Sequence, residues 1–364
     1  MAAHVLIFPF PLQGHINSML KLAELLSLAG LHVTFLNTDH NHRLIVRHSA
    51  AYTRLASCPR LRFRSIPDGF DDDGHRSVSR LLDLAESLRT RAAVFYKDLL
   101  LELVSGDAGG QGWPALTCVI ADGILPFAVD VAIGLGVPAL FFRTSSACSV
   151  WSYFCIPKLF QIGDLPFPES MMANEDDADL DEPIRSLPGM EGFLRRRDLP
   201  VYCRNAKDSA EPSLQALCSS TANTPRARAF ILNTFEALEP SALFHIRSYC
   251  PNTYAIGPLH ALLAKLHCEE NTAPAEMAAT ARKSVDAGGS SFLELEKLIQ
   301  EIKSMRRATE DDDINHIPFG CAFARSYWEL AEKNLGKIQI YIEKDWKEGK
   351  WLKEVEEFGV DSVN

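Results

Sequence analysis

Seven short, apolar, β-branched runs separated by longer amphipathic segments are what most constrains the fold of this chain. The runs are Val5 to Phe8, His32 to Leu36, Leu61 to Ser65, Thr117 to Ala121, Ala139 to Phe142, Ala229 to Leu232 and Tyr254 to Ile256. Near-continuous hydrophobicity implies strands buried on both faces, the condition of a parallel sheet covered by helices. Between the first two runs, Ile16, Leu20, Ala23 and Leu26 fall near helical spacing, and Gly30 is placed to end that helix. The pattern predicts an α/β protein, a doubly wound parallel sheet over residues 1–260.

The remaining residues read differently. Residues 261–280 are polar and Ala-rich and look like a linker; residues 281–305 include a helix with Phe292, Leu295, Leu298 and Ile302 on one stripe. Residues 306–364 carry Trp328, Trp346 and Trp351 in a Lys/Glu-rich background. There Phe323, Tyr327, Leu330, Ile338, Ile342 and Trp346 suit a helix, while Ile338, Ile340 and Ile342 alternate as a strand does; both readings stand. The acidic stretch from Met172 to Asp181 is expected to be an exposed loop.

Composition narrows the function. With 37 Lys+Arg against 47 Asp+Glu, a formal net charge of -10, the chain lacks the broad positive field that a nucleic-acid backbone or an anionic membrane needs. Nine cysteines, without C-x-x-C spacing, argue against a zinc site or a disulfide framework and for reduced thiols. The opening MAAHVLIFPF has no Lys or Arg before its apolar run, so a first strand is expected there rather than a secretory signal. The apolar stretch from Ile124 to Phe142 contains Asp130, two glycines and two prolines and should split into a helix and a strand. A soluble, cytoplasmic protein is the expectation, with no metal and no bound cofactor. Asp71 to Asp73 and Asp311 to Asp313 read as solvated acidic loops. No H-E-x-x-H, G-x-S-x-G or phosphate-cradling G-x-x-x-x-G-K is present.

His15 lies between the first strand and the first helix, at the carboxyl edge where open α/β sheets bind ligands. The positive end of a helix dipole disfavours protonation there and keeps the imidazole a neutral base. Asp122 follows the fourth strand at the same edge. A carboxylate accepting one ring N–H would fix the tautomer and stabilise the imidazolium that forms when the other nitrogen takes a proton. On position alone, a surface histidine and an N-capping aspartate also account for both residues.

Longer segments carry a resemblance. PFPLQGHINSML (Pro9 to Leu20), FLNTDHNHRL (Phe35 to Leu44), SIPDGF (Ser65 to Phe70), ADGILPFAVDVA (Ala121 to Ala132), PALFFRTSSA (Pro138 to Ala147), RRDLP (Arg196 to Pro200), FILNTFEALEP (Phe230 to Pro240) and YAIGPL (Tyr254 to Leu259) resemble the plant family-1 UDP-glycosyltransferases, in that family's order. IPKLFQIGDLPFPE is most similar to glucosyltransferases of iridoid and other terpenoid acids. The resemblance implies the GT-B fold, two facing Rossmann-like domains, the first for a small-molecule acceptor and the second for UDP-glucose or another UDP-sugar as co-substrate. It implies His15 as general base, Asp122 as its orienting carboxylate, Thr144 as a donor-sugar contact, and inversion at the anomeric carbon. Gln13, Phe127, Phe142, Met190 and Phe193 are the expected acceptor-pocket residues.

The second-domain signatures of that family are missing from these 364 residues: no Trp-x-Pro-Gln, no His-Cys-Gly-Trp-Asn-Ser and no closing Asp/Glu-Gln, and His267-Cys268 is followed by Glu269. Residues 281–304 are similar to the family's last helix. The expectation is a truncated, mainly helical C-terminal remnant, with the donor-binding domain largely absent and transfer impaired. The alternative is a non-catalytic module that binds aglycones or associates with an intact homologue.

Overall fold

A computed structural model describes residues 2–48, 50–70, 80–106, 112–168, 178–267 and 275–305. Its strands coincide within a residue or two with the seven apolar runs: β1 (His4–Phe8), β2 (His32–Thr38), β3 (Leu61–Ile66), β4 (Cys118–Asp122), β5 (Ala139–Arg143), β6 (Ala229–Leu232) and β7 (Thr253–Ala255). All pair in parallel in one sheet of order β3-β2-β1-β4-β5-β6-β7.

From β1 the chain steps outward to β2 and β3, then returns to β4 and steps the other way. Right-handed crossovers put the helices of the two halves on opposite faces and leave a crevice above the carboxyl ends of β1 and β4. That reversal is the topological reason for expecting a site there.

Each face has its own core. On one, the Gln13–Leu28, Leu259–Leu266 and Ser290–Ser304 helices pack Leu22, Leu26, Leu262, Leu298 and Ile302 against Ile7, Ile120, Phe142 and Ile231. On the other, the Ala93–Val104, Pro126–Gly134, Ala147–Ile162 and Pro240–Tyr249 helices pack Leu100, Phe127, Val150 and Leu243 against Leu6, Phe8, Ala121 and Phe141. The Gln13–Leu28 helix presents Ile16, Met19, Leu20, Ala23 and Leu26 inward, and Gly30 (φ 88°) lets the chain turn into β2.

The stretch 261–280, expected as a linker, departs from that reading at its start. Leu259, Ala261, Leu262 and Leu263 are buried in a helix that packs against the Gln13–Leu28 helix, because their spacing gives an apolar stripe within an otherwise polar segment. The Ser290–Ser304 helix covers β7 on the same face. Each fully buried Leu or Ile of these helices contributes about 1.5–3 kcal/mol, so the Leu259–Leu266 and Ser290–Ser304 helices are part of the domain's core.

The apolar stretch from Ile124 divides as expected, into the Pro126–Gly134 helix and β5. Among the described residues, no helix is long and apolar enough to cross a membrane. The expectations for Asp71 to Asp73, for Asp311 to Asp313 and for the 306–364 tail fall outside the described residues.

Candidate active site

The crevice between β1 and β4 brings together two residues 107 positions apart. His15 sits in the first turn of the Gln13–Leu28 helix, and its Nδ1 lies 2.7 Å from Oδ2 of Asp122, the last residue of β4. The aspartate side chain is 1% exposed and the imidazole 22%, so the ring closes the carboxylate off from solvent while keeping an open side itself.

Asp122 is an acceptor throughout. Oδ2 takes the Phe10 backbone N–H at 3.2 Å besides the imidazole, and Oδ1 takes the Ile124 N–H at 3.2 Å. With both oxygens accepting, Nδ1 of His15 is the donor of their contact, which leaves the lone pair on Nε2. Phe10 packs edge-on to the imidazole at 5.7 Å and limits its rotation. Thr144, just past β5, places its Oγ1 3.4 Å from Nδ1. His15, Asp122 and Thr144, each singled out in the sequence, are thus neighbours.

The five expected acceptor-pocket residues separate. Gln13 is exposed two residues before His15, and Phe193 is 57% exposed in the turn after Met190. Phe127, Phe142 and Met190 are 4%, 0% and 0% exposed. They pack among core side chains. Phe127 stands edge-on to Phe8 and Tyr96, and Phe142 points from β5 into the core under the Gln13–Leu28 helix. Position near a strand end did not reveal which way the side chain points.

Two residues not anticipated from sequence hold the site's framework. Glu239, 8% exposed, accepts from the N–H groups of Ala147 (3.0 Å) and Cys148 (2.8 Å) and from the Thr234 hydroxyl. Burial pushes its carboxyl up, but the Thr234 hydroxyl and the two N–H donors outweigh it and hold the group below the usual range. The Ala147–Ile162 helix, and with it the segment carrying Thr144, is thereby capped from the β6 loop. Arg143, 2% exposed, donates to the hydroxyls of Ser220 (3.2 Å) and Thr221 (3.3 Å). Its side chain lies across Gly123, where a Cβ would fall 2.5 Å from Cδ and Nε; this close approach requires glycine directly after Asp122. No local signal marked Glu239 as a helix cap, because the two N–H groups it caps are 91 and 92 residues away.

No grouping of three or more His, Cys, Asp or Glu suited to a metal ion occurs among the described residues. The crevice thus joins an imidazole with an open side, a buried carboxylate behind it and a hydroxyl beside it.

Comparison with known proteins places this geometry. No family model matches the chain. Over 263 residues it is 44% identical to a 7-deoxyloganetic acid glucosyltransferase of Catharanthus roseus, covering 72% of this chain and 52% of that protein. It is 36% identical over 257 residues to UDP-glycosyltransferase 85A5 of Arabidopsis thaliana, covering 71% and 51%. A solved structure of a UDP-glucose:anthocyanidin 3-O-glucosyltransferase in complex with UDP superposes with a TM-score of 0.54 at 23% identity, covering 71% of this chain and 53% of that one, which shows a shared fold. The chain spans about half the length of the curated relatives it matches. Over those residues it belongs with the plant UDP-glycosyltransferases.

Proposed function

We propose that this chain supplies the acceptor-binding, base-bearing half of a UDP-glucose-dependent glucosyltransferase acting on a small apolar plant metabolite. The observation that carries the reading is the 2.7 Å contact of His15 with buried Asp122 at the reversal of strand order. Nε2 of His15 takes the proton of the acceptor hydroxyl or carboxyl. The acceptor oxygen bonds to the anomeric carbon as the bond to the UDP oxygen breaks, its electron pair leaving with UDP, and attack opposite the leaving group inverts the centre. Asp122 holds the ring and stabilises the imidazolium that results. Thr144 is assigned to the donor sugar, and Gln13, Phe127, Phe142, Met190 and Phe193 to the acceptor.

The acid named for the Catharanthus roseus relative supports a terpenoid-like acceptor. We place the chemistry in the cytoplasm, a reading supported by the described cysteines, all of them free. A second reading rests on the half-length match and the missing donor signatures: a module that binds aglycones without transfer, or that pairs with an intact homologue. A base without a bound donor has no electrophile to serve, so the chain alone is expected to turn over slowly or not at all.

Joining residues 1–267 to the donor half of the Catharanthus roseus relative distinguishes the two. UDP-glucose-dependent glucosylation of small apolar alcohols or acids by the fusion is the expected result. A folded fusion that binds UDP-glucose and aglycone yet transfers nothing refutes the base-bearing assignment and leaves the binding module.

A further inference from the structure

The loop from Pro9 to Leu12 joins β1 to the Gln13–Leu28 helix and sets where that helix begins, with His15 in its first turn. Helix starts are ordinarily fixed by a side chain at the N-cap, most often Ser, Thr, Asp or Asn. Here the N-cap is Leu12, whose side chain makes no such bond. Its carbonyl accepts the N–H groups of His15 and Ile16, each at 3.0 Å, so the imidazole travels with the Leu12 backbone. What fixes that backbone comes from elsewhere in the chain.

Two bonds hold the loop from opposite sides. On the β4 side, Asp122 Oδ2 accepts the Phe10 N–H at 3.2 Å, and the same oxygen meets His15 Nδ1 at 2.7 Å. On the β2 side, the Nδ2–H of Asn41 donates to the Pro11 carbonyl at 2.8 Å. A bond of 2.8 Å from the Leu12 N–H to the Phe10 carbonyl tightens the turn between the two anchors. Asn41 is itself placed: it is buried in the first turn of the Asp39–His48 helix, and its N–H meets the hydroxyl of buried Thr38 at 3.4 Å. Pro11 is buried as well, so removing the Asn41 amide strands its carbonyl away from bulk water and favours a shifted loop. Because one carboxylate oxygen serves both the loop and the ring, a shift of the loop disturbs the imidazole contact directly.

We infer that Asn41 is a positioning residue for His15. By clamping the Pro11 carbonyl it holds the first helical turn where Nδ1 donates to Asp122, and so keeps the proton off Nε2. The inference rests on the reading of His15 as the base and adds the group that aims it.

Asn41→Leu keeps the side chain's size and removes its donor. Nitrogen-15 NMR of the intact chain at neutral pH is expected to show His15 as one species with Nδ1 protonated in the parent. In Asn41→Leu a mixture of both tautomers is expected, since a ring released from Asp122 carries its proton on either nitrogen. A residue that only supports the fold would lower the urea midpoint and leave the tautomer alone. In the fused enzyme kcat should fall about 10- to 100-fold with KM for UDP-glucose unchanged. Placed on His15→Ala, the same substitution should cost less than about twofold, because its effect passes through the imidazole. In the unaltered chain, one Asn41 side-chain amide proton should exchange at least about tenfold more slowly than in a free amide, a measurement independent of whether the variant folds. Fast exchange of both amide protons, an unchanged tautomer in folded Asn41→Leu, or an equal loss of kcat in both backgrounds overturns the proposal. Failure of the base reading looks different: His15→Ala then keeps its kcat while Asn41→Leu still mixes the tautomers.

Discussion

His15→Ala in the fused enzyme is expected to lower kcat by about 10²–10⁴-fold, the range for a positioned general base, with KM for UDP-glucose little changed. The imidazole is 22% exposed, and removing it opens the Asp122 carboxylate to water in place of its lost partner, so the variant should still fold. Asp122→Asn separates orientation from base strength. Asn retains one acceptor oxygen, but its amide nitrogen must then face either the Ile124 N–H or His15 Nδ1. Facing Ile124 leaves that donor unpaired at a cost of about 1–3 kcal/mol; facing His15 moves the ring proton to Nε2 and removes the base. Both outcomes lower kcat. Urea unfolding beside steady-state kinetics reads them separately, and kcat within tenfold of the parent for His15→Ala would sink the assignment.

At the opposite end of β1, acid should weaken the fold through a different histidine. His4 is fully buried; its Nδ1–H donates to the Pro114 carbonyl at 2.9 Å and its Nε2 accepts from the Thr34 hydroxyl at 2.8 Å. Burial lowers its pKa to about 4; the Pro114 carbonyl opposes the shift, and the positive Arg62 and His32 add to it. Between the ordinary value of 6.5 and about 4 the unfolded chain binds a proton that the native one does not. Stability is therefore complete above 6.5 and falls as the pH drops through that window, by about 3 kcal/mol in total. Glu24 and Glu239, both held below their usual range, lose stabilisation at still lower pH. The difference between the parent and His4→Gln in urea midpoints at pH 7 and pH 4.5 isolates the histidine. Parallel loss in both chains counts against it.

Much of this architecture is legible in the sequence for one reason. Strands buried on both faces must be continuously apolar, so β1 to β7 stand out from the helices between them. His15 and Asp122 are legible because strand-to-helix turns after β1 and β4 are where a doubly wound sheet exposes side chains. Direction within a turn is less readable. Phe142 on β5 and Phe127 on the helix after β4 lie as near the edge in sequence as Thr144 does, but the pleat and the helix register turn them into the core, a property set by packing partners far along the chain. Glu239 is invisible for the same reason: it caps a helix that begins 92 residues earlier. The helix beginning at Leu259 is hidden in a polar stretch because only its inner stripe is apolar.

Whether the crevice holds a base depends on which nitrogen of His15 carries the proton. Nitrogen-15 NMR of the imidazole in the intact chain at neutral pH reads this directly, without donor or acceptor. A protonated Nδ1 with a bare Nε2, reversed or mixed in Asp122→Asn, is the predicted spectrum. A proton resident on Nε2 in the unaltered chain would contradict the account, since the nitrogen turned away from Asp122 could then accept nothing.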